Sequence, residues 1–242
     1  GWMVRLVRQV ELSLIGAADA VILADESRID QIRGSKPKRV TIINNTPEEY
    51  IPTKGTGLKH EQSKLHIVYV GTLEWRRGLR EWMEVVRPHA DWSLLLTGRG
   101  RDEGEIRALA KGISNIVVTG PVTYEWALAL EAAGDVIPAT FDPGVPNHRY
   151  ASPNKLYEAM MLGKPIVCAA QTGMDAIVHS AECGIVISYG KTEELERALI
   201  QLADAALRDR LGRNGQRCYR EKFAWPVMRA RLLALYKEIG VL

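Results

Sequence analysis

"SPNKLYEAMMLGKPIVCA" (residues 152–169) reads as a helix followed by a strand, and neither has a polar side. Ser152 is a good N-cap, Pro153 suits the first helical position, and Gly163 ahead of Lys164-Pro165 stops the helix. Between these marks Leu156, Tyr157, Ala159, Met160, Met161 and Leu162 go nearly all the way round the axis. A helix with no polar face is buried on most sides. The strand "PIVCA" is a short unbroken apolar run, the pattern of a strand covered on both faces. Lys155 and Glu158 stand out against this background. A carboxylate in such a place needs a partner, or it lines a cleft where a ligand supplies one.

The same rhythm extends outward. Strand-length apolar runs, "LHIVYVG" (65–71), "DWSLLLTG" (91–98), "NIVVTG" (115–120), "DVIPAT" (135–140) and "GIVIS" (184–188), alternate with helical segments after Arg77, at 101–111, 123–133 and 174–180. Three more helical stretches close the chain from Lys191 to Ile239. The spacing predicts an α/β fold with a doubly wound, Rossmann-like parallel sheet of six strands. Ahead of it stand a helix at 4–18, a buried strand "DAVILA", a short helix around "SRIDQI" and a strand "RVTIINN" (39–45). Residues 46–63 have no periodicity and many breakers, the mark of a linker. In such a sheet ligands sit outside the carboxyl ends of the strands. That rule marks one rim: Gly71-Thr72, Gly98-Arg99-Gly100, Gly120-Pro121, the 141–152 loop and Gln171-Thr172-Gly173.

Composition narrows the classes. The 242 residues are 46% apolar and 25% charged, with a net charge of +3, too mild to argue for nucleic acid. The densest cationic stretch, "RGSKPKR" (33–39), reads as a solvated turn, and with Arg5 and Arg8 it offers a surface for peripheral contact with anionic lipid. Three cysteines without a C-x-x-C pair speak against a disulfide framework, and with no signal-peptide core they point to the cytoplasm. No run of 18 apolar residues is present. The sequence opens on Gly1 in the middle of a helical pattern, as a fragment would.

Several motifs invite chemistry. "GRGRDEG" (98–104) follows a strand and opens a helix, but its G-x-G-x-x-x-G spacing and the absence of an acidic residue after the next strand disfavour a dinucleotide. His60, His66, His89, His148 and His179 are scattered with no two at metal-ligand spacing, so no metal is expected. His148 and Arg149 lie in the rim loop. "VGTLEWRRGL" (70–79) puts a glycine at a strand end and Arg76-Arg77 before a helix, where a phosphate is attracted; a solvent-facing arginine pair is the plainer alternative. At the start of the 152 helix, free N–H groups, the helix dipole and Lys155 make an anion site. Glu158, one turn on, can accept two hydrogen bonds from a ribose diol. The plainer alternative is an i,i+3 ion pair between Lys155 and Glu158.

With these residues in view, the sequence resembles retaining glycosyltransferases of family 4, which have the two-domain GT-B fold. "SPNKLYEAMMLGKPIV" is similar to their signature helix, "IVYVGTLEWRRGL" to the first strand and phosphate loop of the nucleotide domain, and "TEELERALIQLADAALRDRLGRNGQRCYREKFAWPVM" to their C-terminal helices. "AADAVILADESRID" with "RVTIINNTPE" resembles the end of their N-terminal domain. The resemblance implies transfer of a sugar from a UDP- or GDP-linked donor with retained anomeric configuration and no cofactor. It makes residues 1–46 the tail of an N-terminal acceptor domain, 47–63 a linker, 64–224 the nucleotide-sugar-binding domain and 225–242 a helix returning towards the first domain. The catalytic histidine would then belong to that first domain, with a sugar or lipid-linked glycan as acceptor.

Carried over, Glu158 matches the second glutamate of E-x7-E, which holds the ribose. Arg77 stands where a diphosphate-binding lysine is usual, and Val122 and Thr123 fall where the backbone meets the base. The candidate donor set is Gly71, Arg77, Val122, Thr123, Ser152, Asn154, Lys155 and Glu158, with Thr72, Arg99, His148, Arg149 and Tyr150 as further rim candidates. Two departures matter: Tyr150 replaces the first glutamate and Thr72 an arginine. They leave room for a nucleotide-sugar epimerase or hydrolase, or a non-catalytic binding or scaffold domain, on the same fold.

Overall fold

The computed structural model describes residues 1–50, 52 and 63–241. Helix α1 (Trp2–Ala17), strand β1 (Val21–Leu23), a 3-10 helix (Glu26–Ile32) and strand β2 (Val40–Ile42) form the first segment, with β1 and β2 paired in parallel. Strand β1 is half-exposed, where a buried strand is expected, because the two-stranded sheet leaves Ile22 facing solvent. Most of the expected 47–63 linker lies outside the described residues. Its first four residues carry no regular structure.

Then follow β3 (Leu65–Thr72), α2 (Leu79–Val86), β4 (Trp92–Arg99), α3 (Glu103–Ala110), β5 (Ile116–Thr119), α4 (Tyr124–Ala133) and β6 (Ile137–Ala139). The chain continues through α5 (Asn154–Leu162), β7 (Ile166–Ala169), α6 (Met174–Ala181), β8 (Gly184–Ile187), α7 (Thr192–Leu202), α8 (Ala205–Cys218) and α9 (Trp225–Glu238). The six expected strands are all there, and all pair in parallel. They form two three-stranded sheets, β3-β4-β5 and β6-β7-β8. A bridge between Ile67 and Val136, with Val68 N–H donating to Val136 O at 3.1 Å, joins them edge to edge. The spatial order is therefore β5-β4-β3-β6-β7-β8, and it reverses between β3 and β6.

Strand alternation builds a core on each face. Leu65, Ile67, Leu94, Leu96 and Val167 join Trp82, Ile106 and Leu199 on one side. Val68, Leu95, Ile166 and Cys168 join Leu156, Met160 and Val178 on the other. Both faces are covered by helices, so the strands are apolar throughout. Close approach of the β3 end to β4 explains the first two glycines of "GRGRDEG": with φ at 146°, a Cβ on Gly98 would overlap the Gly71 carbonyl oxygen, and one on Gly100 that of Leu73.

Helix α9 runs back to the first segment. Met228 is fully buried, its sulfur accepts from Asn44 N–H at 3.2 Å, and Arg231 reaches the Ile42 carbonyl at 3.4 Å.

Candidate functional site

The rim forms where the strand order reverses, which is where open α/β sheets place their ligands. Gly71 and Thr72 end β3 beside Gly98 and Arg99 at the end of β4. Thr72 and Arg99 are exposed, and the Thr72 carbonyl accepts from the Tyr69 phenol at 2.7 Å. Of the arginine pair, Arg76 is exposed whereas Arg77 turns inward. The Arg77 guanidinium lies 4.1 Å over the Phe141 ring, and its buried Nε has no hydrogen-bond partner among the described residues. Phe141, just past β6, thus holds the cation against the rim.

The 141–152 loop wraps this group. The His148 ring sits 5.3 Å from the opposite partner of Arg77, the Phe141 ring, and its Nδ1 is 2.9 Å from the Asp142 carbonyl. A carbonyl only accepts, so Nδ1 carries the proton. Burial holds the His148 imidazole below its ordinary range. Arg149 is exposed with Nε donating to Pro143 O at 3.0 Å, and Tyr150 is half-buried.

Helix α5 begins at Asn154, one residue later than a Ser152 cap requires, with Pro153 at the N-cap and no side-chain cap. The Ser152 hydroxyl is engaged elsewhere, 2.9 Å from the Tyr157 phenol and 3.2 Å from the Ala24 carbonyl. The first-turn N–H groups therefore stay uncapped by any side chain, with Asn154 exposed beside them. Directly under them lies Lys155, only 7% exposed. Its ammonium donates to Val70 O at 2.6 Å and sits 3.8 Å over the Tyr69 ring. Among the described residues no carboxylate comes within ion-pair distance of it, so the alternative of a Lys155–Glu158 ion pair is not realised. Burial lowers Lys155 to about 8, against the pull of Glu131 and Glu158.

Glu158 is 8% exposed; burial raises its pKa, and the neighbouring Tyr124 phenol and Lys155 oppose the rise. Tyr124 is itself 48% exposed, so the acid lies close beneath the surface. Tyr124 opens α4, capped by Thr123, whose hydroxyl accepts from Trp126 N–H at 3.4 Å; Val122 is half-buried beside it. The structure thus brings Gly71, Arg77, Val122, Thr123, Asn154, Lys155 and Glu158 to one rim, while Ser152 faces the first segment.

Sequence reasoning missed Glu131, Tyr69, Tyr124 and Phe141. Glu131 is 2% exposed, and its Oε2 has no hydrogen-bond partner among the described residues. Burial raises it to about 8 despite Lys155. Its signal was available: it is the lone charge in "ALALEAA" (127–133), the same signature that singled out Glu158.

A cavity of about 630 Å³ opens elsewhere, between Asp25, Asn44, Ile177 and Phe223, and is lined by none of the candidate donor residues. Of the basic stretch 33–39, Arg33 pairs with Asp30, Lys38 with Asp19 and Arg39 with Glu238. Among the described residues no cluster of three metal-ligating side chains occurs, and no helix is long and apolar enough to cross a membrane.

With that geometry in hand, comparison with known proteins is direct. The family model "Glycosyl transferases group 1" matches residues 64–205, more than half of the chain. The chain belongs to the group 1 glycosyl transferases. A curated relative in Corynebacterium glutamicum, a GDP-mannose-dependent monoacylated α-(1-6)-phosphatidylinositol monomannoside mannosyltransferase, is 28% identical over 153 residues, 62% of this chain and 40% of the relative. The GT-B fold is shared with sucrose-phosphate synthase from Thermosynechococcus elongatus, at a TM-score of 0.78 and 21% identity, covering 98% of this chain and 62% of that one. Anabaena HepE in complex with UDP-glucose superposes at a TM-score of 0.74 and 16% identity, covering 98% and 68%. This group 1 glycosyl transferase chain spans about half the length of the curated relatives it matches.

Proposed function

We propose that the chain is the donor-binding part of a retaining glycosyltransferase of family 4, which moves a sugar from a nucleoside diphosphate to an acceptor. The observation that carries this reading is the convergence at one rim of Arg77, the uncapped start of α5 and Lys155, with Glu158 one turn deeper. Two cations and a helix start suit a diphosphate, and a carboxylate beyond them suits a ribose diol. Negative charge grows on the departing diphosphate as the anomeric bond breaks. Groups already aimed there favour the transition state over the ground state.

UDP-glucose in HepE and GDP-mannose in the mannosyltransferase's name support a UDP- or GDP-linked donor. Residues 1–46 are the tail of an acceptor domain, 64–224 the donor domain, and α9 the return helix. Support for that division comes from α9 packing on Asn44 and from α1, which has no buried residue. A sugar or lipid-linked glycan faces the rim from the acceptor domain, and vesicle flotation tests any peripheral membrane contact.

Calorimetry with UDP, GDP, their sugars and the bare nucleosides tests the assignment. Arg77→Ala should weaken diphosphate binding at least tenfold and leave nucleoside binding within about twofold, the loss of one charge-assisted contact. Equal losses for both ligands would remove Arg77 from the diphosphate site. Glu158→Gln should weaken both alike, because the ribose is common to them.

A further inference from the structure

Burial has left three ionisable groups under the start of α5 without ordinary ion pairs. Lys155 has only a carbonyl and an aromatic face for company, and Glu131 has an oxygen with no partner among the described residues. Glu158 lies beside the Tyr124 phenol. Helix α4 carries Glu131 and Tyr124, α5 carries Lys155 and Glu158, β3 contributes Tyr69, and Arg77 faces from the turn before α2. An ammonium in apolar surroundings, with no anion in contact, holds its proton weakly. An anion at the helix start reverses this at both neighbours: it favours charged Lys155 and disfavours ionised Glu131.

We propose that the anion site is proton-coupled, a nucleoside diphosphate drawing one proton from water onto the buried Glu131–Lys155 pair as it binds. The inference rests on the donor reading above and adds a ligand-linked protonation to it. The balance is simple: one proton leaves solvent and one negative charge of the diphosphate is neutralised inside the protein. No covalent bond changes. With no anion bound, burial lowers Lys155 and raises Glu131, each to about 8. Affinity for UDP or GDP therefore changes little between pH 7 and 7.5, where the ligand's own phosphates are ionised, and falls above pH 8, by up to about tenfold per pH unit as uptake approaches one proton.

Calorimetry of UDP, GDP and inorganic pyrophosphate in pairs of buffers with different ionisation heats counts the protons. Near pH 7 the expected uptake is small; at pH 8.5 it approaches one proton for UDP and GDP, whose phosphates are fully ionised there, and for pyrophosphate it is counted after the ligand's own proton release is subtracted. Uridine and guanosine should draw none. Lys155→Met abolishes the uptake, because Glu131 without a facing ammonium stays neutral in both states. Glu131→Gln retains it, because the lysine still titrates. Uptake persisting undiminished in Lys155→Met, or absent from the wild-type protein at pH 8.5, overturns the proposal.

Where Lys155→Met binds too weakly to measure, the Cε resonance of Lys155 in the ¹³C-lysine-labelled wild-type protein decides. It should titrate near pH 8 in the free protein and hold its charged position there with pyrophosphate or nucleotide bound. Titration near the ordinary 10.5 overturns the proposal and leaves the donor reading intact. Pyrophosphate bound with proton uptake, but no binding of UDP or GDP, supports the proton-coupled anion site and overturns the sugar-nucleotide reading instead.

Discussion

At the scale of single residues, Lys155 and Glu131 set binding against stability. Folding lowers Lys155 from 10.5 to about 8. Below pH 8 the ammonium is charged in both states and the folded protein carries the full burial penalty. That penalty fades between pH 8 and 10.5, as the folded lysine loses its proton before the unfolded one. Glu131 is raised from 4.5 to about 8, so its neutral buried form suits the fold below 4.5, and stability is lost as pH rises from there to 8. Lys155→Met should therefore raise stability at pH 7 by ~2 kcal/mol while nucleotide affinity falls. Glu131→Gln should leave stability unchanged at pH 5 and raise it increasingly towards pH 8. Urea unfolding at several pH values checks both; a destabilised Lys155→Met would mean that the lysine is well compensated where it lies. Glu158 was legible because one acid stood among apolar helix positions, and Glu131 carried the same mark. Their common surroundings were not legible, since residues 131 and 155 lie on different helices.

At the scale of elements, hydrophobic period and breakers located the helices and strands, and local competition decided their ends. Ser152 has the right chemistry for a cap, yet Tyr157 and Ala24 take its hydroxyl and α5 starts at Asn154. A cap is worth about 1 kcal/mol, small enough for a tertiary hydrogen bond to outbid. The paired ends of β3 and β4 depend on glycine more firmly. Gly98→Ala forces a Cβ into the Gly71 carbonyl at a φ that favours glycine and should cost about 3 kcal/mol, seen as a lower urea midpoint at unchanged slope. Docking of α9 relies on Met228, fully buried against Asn44. Met228→Ala should cost about 2–4 kcal/mol and increase proteolysis around residues 40–44.

At the scale of the whole molecule, α1 exposes Trp2, Met3, Val4, Val7 and Val10 with none of its residues buried. Apolar surface of that extent drives association. The 242-residue chain should therefore sediment with concentration-dependent self-association, reduced by the pair Val7→Glu and Val10→Glu; an ideal monomer at every concentration would contradict this. The sequence alone determined the element order, the six parallel strands and the presence of a rim at their carboxyl ends. Each of these follows from which faces of a segment avoid water, and that is written in local spacing. Only the tertiary structure decided the order β5-β4-β3-β6-β7-β8, the stacking of Arg77 on Phe141, and the gathering of Glu131, Lys155 and Glu158 beneath one helix start. Those depend on which distant segment lies opposite, and a hydrophobic pattern records that a face is dry without recording what dries it.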